Sequence, residues 1–338
     1  MRPKRLIRLV FLLIILAGVY YLGPSPPRPR FDHSLPSLPK EPSALEDHIA
    51  QSEAKHVLKP DNEARIVWSD SSKQRTPYAI VYLHGFSASQ KEGDPVHRRL
   101  AEEFGCNLYL SRLSDHGIDT TESLHLFTAE RVWNSAKEAL AIGAAIGDKV
   151  ILIGTSTGAT LALMLAAEYP SQVHALINLS PNIAINDPAA FLLNDPWGLH
   201  IARLVMGGKY MNTVSDPRRS PYWNESYRLE AVVQLQELLE LSMTSETFRR
   251  VKQPSLTLYY YKNDDEQDPQ VRVSAMLEMH EQLGTPDSLK VIRPMPETGA
   301  HVLGSDLTSR DVEGVYREMK GFVEQKVIIR SAKSALQR

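Results

Sequence analysis

The sequence predicts an α/β architecture, a mostly parallel sheet with helices on both faces, and three observations carry that expectation. Strand-like and helix-like stretches alternate over most of the 338 residues, which is the pattern of a parallel sheet covered on both sides. Several of the strand candidates are continuous apolar runs, as strands buried on both faces must be. Finally, Gly154-Thr155-Ser156-Thr157-Gly158 stands between the apolar run Val150 to Ile153 and the helix-like stretch Ala159 to Tyr169, the place where a strand turns sharply into a helix. A hydrophobic content of 43% can supply the core of one such domain with an insertion.

At the N-terminus, Arg2, Lys4, Arg5 and Arg8 precede the apolar run Leu9 to Leu22, and a proline-rich exit follows, Gly23 to Arg30. Basic start, apolar run and helix-breaking exit describe a membrane-targeting segment, so residues 1–22 are expected to be a transmembrane helix that anchors the protein in a membrane. A cleaved signal peptide and a buried helix are the other readings. The basic flank should stay cytoplasmic, which places the remainder on the extracytoplasmic side, against the pull of Arg28 and Arg30. Residues 23–60 are rich in proline and poor in apolar side chains, and read as an extended stalk. The α/β domain is expected over 61–330.

Within it, Tyr78 to Leu83 reads as a buried strand ending in His84-Gly85-Phe86. A helix near Pro95 to Phe104, a strand Asn107 to Arg112, a helix Thr128 to Ile146 with Thr128 as N-cap, a strand Lys149 to Ile153, a helix to Tyr169 and a strand Ala175 to Leu179 follow. Alternation then stops over about 182–252, where Trp197, Trp223, Met206, Met211 and Met243 accompany a helical run, Glu225 to Ser242. Such an insertion would sit over the Ser156 turn as a helical cap, shaping a pocket and excluding water; plain packing is the alternative for its Met and aromatic residues. The strand Thr257 to Tyr261, a helix Val271 to Leu283, a strand Leu289 to Arg293 and an amphipathic helix Asp311 to Lys326 complete the series.

The chemistry follows from the turn at Ser156. Small residues two before and two after the serine let the chain bend so tightly that Oγ projects from the sheet, and the helix starting there turns free N–H groups toward negative charge. A serine needs a base, an orienting acid and an oxyanion site. His301, on a turn-rich loop beyond the last strand, is the expected base. Asp264 is the expected acid, just past a strand end, with Asp265 as the fallback and the neighbouring acids as a solvated turn. The backbone N–H groups of Phe86 and Thr157 are expected to form the oxyanion hole.

The order Ser156, Asp264, His301, with His84-Gly85-Phe86 upstream and a second His-Gly pair in Ser114-Asp115-His116-Gly117, resembles the α/β-hydrolase superfamily, and most closely its monoacylglycerol lipase and serine aminopeptidase-like branch. The resemblance covers about residues 62–327. It implies the α/β-hydrolase fold and a serine hydrolase working through an acyl-enzyme. Thr155, Thr157 and Ala159 depart from the residues usual around the nucleophile, and Lys262-Asn263 replaces a usual glycine, so substrate preference does not transfer. Hydrolysis of carboxylic esters, lipid-derived ones among them, is the leading expectation; amide cleavage, acyl transfer and a non-catalytic membrane-tethered binding module are the others.

The remaining inventory is exclusionary. A net charge of −2 gives no reason to expect nucleic acid. No metal-ligand spacing and no phosphate-binding glycine loop occur, so no cofactor and no metal are expected. The single cysteine, Cys106, rules out an intrachain disulfide.

Overall fold

The computed structural model describes residues 3–327; Arg2 of the basic cluster and the last residues of the expected 61–330 domain lie outside them. Helix α1 spans Pro3–Tyr21 and α2 spans Pro42–Glu53. The strands follow as β1 (Arg65–Val67), β2 (Thr76–Leu83), β3 (Asn107–Leu110), β4 (Gly147–Thr155), β5 (Val173–Leu179), the short pair β6 (Tyr210–Asn212) and β7 (Ser226–Arg228), then β8 (Ser255–Tyr259) and β9 (Lys290–Pro294). Between them run α3 (Val96–Phe104), α4 (Ala129–Ile146), α5 (Thr157–Glu168), α6 (Gly198–Val205), α7 (Leu229–Ser242), α8 (Ser245–Arg250) and α9 (Val273–Gln282), with α10 (Val312–Phe322) last.

Seven strands form one sheet in the order β1-β3-β2-β4-β5-β8-β9, parallel throughout except for β1, which pairs antiparallel with β3. Apolar side chains alternate between its two faces. Ala79, Val81, Leu83, Val150, Leu152 and Leu176 join one core with α4 and α5, while Ile80, Tyr82, Ile151, Ile153, Ala175 and Ile177 join a second core with α3 and α10. The continuous apolar runs of β2 and β4 are thus explained by burial on both sides. Every strand of the parallel set points its C-terminal end to the same edge, where ligand sites of open α/β sheets form.

The N-terminal region departs from expectation. Among the described residues no helix is long and apolar enough to cross a membrane. In α1 the basic residues Lys4, Arg5 and Arg8 fall in the first turns, leaving Leu9 to Tyr21, about 20 Å of helix against a hydrocarbon core of about 30 Å. The expected transmembrane helix is therefore corrected. The expected extended stalk is corrected too. Within it α2 buries Leu45 and Ile49 in the main core, and the segment before α2 lies along α4 and α5. There Trp133 Nε1 donates to the Asp32 carbonyl (2.8 Å), Lys137 Nζ reaches the Asp32 carboxylate (2.6 Å) and Tyr169 donates to the His33 carbonyl (2.9 Å).

The 182–252 insertion has two parts. The stretch carrying α6, β6 and β7 lies near the C-terminal edge of the sheet, while α7 and α8 extend the main core through Leu235, Leu238, Leu239 and Phe248. A separate small cluster, Ala88, Trp223 and Val302 with Tyr222 and Leu307 packed against it, joins three chain segments. It ties the insertion to the loop after β2 and to the loop after β9.

Candidate active site

Ser156 sits between β4 and α5 with φ 52° and ψ −118°, a left-handed conformation that a residue with a Cβ rarely adopts. The surroundings hold it there. A Cβ on Gly154 would lie 2.5 Å from the Ala159 backbone, and one on Gly158 would lie 1.9 Å from the Leu83 carbonyl oxygen, so only glycines let α5 turn back against β2 and β4. The Ser156 N–H donates to the Leu179 carbonyl (2.9 Å), and the Ser156 carbonyl accepts from Asn182 (3.1 Å). Its side chain caps no helix amide. Thr157 is the first residue of α5, where backbone N–H groups have no partner within the helix.

The loop after β2 meets this turn directly. A Cβ on Gly85 would lie 3.1 Å from the Ser156 Cβ, so the glycine is what lets the two backbones approach. His84 fixes the loop: its Nε2 accepts the Leu113 N–H (3.0 Å), which leaves Nδ1–H to donate to the Gly85 carbonyl (2.9 Å). Burial, together with the nearby His116 and Arg112, holds this imidazole well below the usual histidine range, consistent with a neutral side chain whose two nitrogens play opposite roles. Phe86 packs edge-on against Phe127 and Tyr227, both with centroids 5.2 Å away. Across it, the insertion is pinned by the Asn224 N–H, which donates to the Ser87 carbonyl (2.7 Å).

His301 lies on the loop after β9 and is buried. Its partner is Asp268, not Asp264: His301 Nδ1 and Asp268 Oδ2 are 2.7 Å apart, and Asp268 is fully buried. Asp268 Oδ1 accepts from the Gln270 and Val271 N–H groups (2.9 and 3.1 Å). Burial alone would raise this carboxyl, but the charge and hydrogen bond of His301 and the two amides hold it below its ordinary value. Burial likewise pulls the His301 imidazole down, and the charge and hydrogen bond of Asp268, with a further contribution from Glu92, more than offset it, so its pKa is raised.

The correction has a local cause. Strand β8 ends at Tyr259, a bridge between Tyr261 and Gln267 closes an exposed excursion, and Lys262 pairs with Glu266 across it (2.9 Å). Asp264 is exposed on that excursion and accepts from the Tyr261 hydroxyl (2.8 Å); Asp265 is exposed as well. The chain returns to the sheet edge only at Asp268, where the Asp268 N–H donates to the Tyr260 carbonyl (3.1 Å). The sequence signal for this was Asp268-Pro269 opening the turn into the next helix, as opposed to the first acid after the strand.

Ser156, His301, Asp268, Phe86 and Thr157 therefore stand at the ends of β4, β9, β8, β2 and the start of α5, on one edge of the sheet. The loop with His301 is itself fastened to the loop before α3, through the Asp306 N–H to the Asp94 carbonyl (3.2 Å) and the Pro95–Ser305 bridge. No group of His, Cys, Asp or Glu that could hold a metal ion occurs among the described residues. Cys106 is buried away from this edge, its thiol pushed up to about 12 by burial.

The family description "alpha/beta hydrolase fold" matches residues 78–267, more than half of the chain, and the chain belongs to that family; it is a hydrolase by family. Solved structures agree on the fold. A structure reported for LipS and LipT, two metagenome-derived lipolytic enzymes, superposes with a TM-score of 0.60 at 17% identity, covering 80% of this chain and 99% of that one. The monoacylglycerol lipase of Paleococcus ferrophilus gives 0.57 at 15% identity, covering 77% and 97%. A soluble variant of the Saccharomyces cerevisiae monoglyceride lipase gives 0.57 at 14%, covering 78% and 91%. No curated protein matches the chain.

Proposed function

We propose that this protein is a serine hydrolase that cleaves carboxylic esters through an acyl-enzyme, with Ser156 as nucleophile, His301 as general base, Asp268 as the orienting acid, and the Phe86 and Thr157 N–H groups as the oxyanion hole. The observation that carries the reading is the strained serine on a glycine-flanked turn, at the same sheet edge as a buried histidine paired at 2.7 Å with a buried aspartate. His301 takes the Ser156 proton as Oγ attacks the ester carbonyl, and the two amides stabilise the oxyanion. The imidazolium then protonates the leaving alcohol, and water repeats the sequence on the acyl group with His301 again as base. Asp268 fixes the tautomer in which Nδ1 carries the proton, which leaves Nε2 for the serine.

Ester substrates are favoured over amides by the neighbours, which are reported as lipolytic enzymes and monoacylglycerol lipases. An apolar recess of about 220 Å³ supports an acyl or alkyl substituent; it lies in the insertion and is lined by residues such as Ile185, Leu193, Ile201, Val205, Met211 and Val232. A panel of short p-nitrophenyl esters, long-chain monoacylglycerols and aminoacyl anilides, run beside fluorophosphonate labelling, tests the proposal. Ester turnover and stoichiometric labelling, both lost in Ser156→Ala, are expected. Folded protein that neither labels nor turns over any ester would overturn it, and turnover of the anilide alone would replace esterase with amidase.

A further inference from the structure

Glu92 is a buried carboxylate that the chemistry above leaves unused. It lies on the short helical turn Gln90–Gly93 before α3, with only 2% of its surface exposed. Its Oε2 accepts the N–H of Gly85, the residue immediately before Phe86. A Cβ added to Gly85 would lie 2.8 Å from Glu92 Oε1 and 3.1 Å from the Ser156 Cβ, so the carboxylate and the serine both crowd the side of the glycine where a side chain would stand. The loop carrying His301 packs on the same stretch, since a Cβ on Gly304 would meet the Gly93 Cα at 3.4 Å and the Val96 side chain at 2.9 Å.

We propose that Glu92 is a positioning residue of this centre, which fixes the His84–Gly85 peptide by accepting the Gly85 N–H, so steadying the adjoining peptide that carries the Phe86 N–H, and favours the His301 imidazolium by its negative charge. This rests on the serine-hydrolase reading above. With the Gly85 N–H held by Glu92 and the Gly85 carbonyl held by His84 Nδ1–H, the two peptides leading to the Phe86 N–H are both fixed, and that N–H is the one proposed to point at the developing oxyanion. The charge acts on the step in which His301 holds the serine proton, because a nearby anion stabilises the charged ring.

The groups that face Glu92 are few. Gly85 N–H and Tyr82 belong to β2 and its loop, His301 to the loop after β9, Arg219 to the insertion, and Lys91 and Asp94 flank it in sequence. Tyr82 is engaged with Thr155 (3.0 Å) and Lys91 with Asp94 (2.8 Å). Burial raises Glu92 to about 7, against the Gly85 hydrogen bond and the charges of His301 and Arg219. It is therefore poised to change charge in the range where a serine hydrolase works.

Two variants separate the two roles. Glu92→Gln keeps an oxygen that can accept the Gly85 N–H but removes the charge, and Glu92→Ala removes both. The measurements are kcat and KM on the best ester across pH, and the His301 titration by imidazole NMR, assigned against His301→Gln. In Glu92→Gln, His301 is expected to titrate at lower pH than in wild type, the acid limb of kcat/KM should move down with it, and kcat at pH 8 should fall severalfold because the anion that steadies the imidazolium is gone. Glu92→Ala should lose about tenfold or more in kcat with little change in KM. An unshifted His301 in folded Glu92→Gln, or wild-type kcat in Glu92→Ala, would overturn the inference; if Glu92→Ala fails to fold, the Glu92→Gln titration decides alone. Wild type inert to esters and to the fluorophosphonate would sink the functional reading and this inference together, whereas active wild type with an unshifted His301 sinks this inference only.

Discussion

At the scale of single residues, the centre depends on which carboxylate meets His301. Asp268 is enclosed and accepts two backbone N–H groups besides the imidazole, while Asp264 lies on an exposed excursion against a tyrosine hydroxyl. Asp268→Asn should lower kcat by about 10⁴-fold by favouring the wrong imidazole tautomer. Asp264→Asn should leave kcat within about twofold of wild type, a difference that steady-state ester kinetics resolves. The pH dependence has a definite sign. In the proposed mechanism His301 must be neutral to accept the serine proton, and Asp268 raises its pKa above the ordinary 6.5. Activity should therefore fall on acidification with a midpoint above 6.5, and in Asp268→Asn the midpoint of the residual activity should move to lower pH. The strand-to-helix turn at Ser156 and the place of His301 on a loop beyond the last strand were legible in the sequence, because both are local facts. The carboxylate that pairs with His301 was not, because several carboxylates crowd one turn, and choosing among them requires knowing where the chain re-enters the sheet edge.

At the scale of elements, the junction of β4 with α5 carries stability and, in the proposed mechanism, the nucleophile. Gly158 lies so close to the Leu83 carbonyl, 1.9 Å from where its Cβ would be, that any side chain there must push α5 away from β2. Gly158→Ala should destabilise the domain by about 3 kcal/mol or more, seen as a lower midpoint in thermal or urea unfolding. Whatever folded protein remains should label slowly with fluorophosphonate, since Ser156 would be displaced with the helix. The principal strands of the sheet and the helices α4, α5, α9 and α10 were legible because each shows a clear period or a continuous apolar run. The strand β1, the β6–β7 pair and the short helices α6 and α8 were missed. They are too short for a period to show, and their stability comes from what they pack against.

At the scale of the whole molecule, the polypeptide before the sheet is part of the structure of the domain. Leu45 is 1% exposed and joins the same core as Trp133 and Leu140, and Lys137, almost wholly buried, takes Asp32 as its ion partner. Leu45→Ala should cost about 3 kcal/mol. If α2 detaches before the domain unfolds, limited proteolysis should cut residues 23–60 much faster in the variant while the rest of the chain stays resistant. Composition misled here: prolines and charges suggested a solvated spacer, yet a few apolar and hydrogen-bonding residues suffice to lay the segment along α4 and α5.

The sequence by itself determined the layer order, the turn at Ser156, the loop position of His301 and the family, because these rest on periodicity and on glycine spacing that only one local backbone conformation accommodates. Tertiary structure decided which aspartate faces His301, that Glu92 lies under the Gly85 amide, and that residues 23–60 are docked. Each of those depends on distances between segments far apart along the chain, which a linear pattern does not encode.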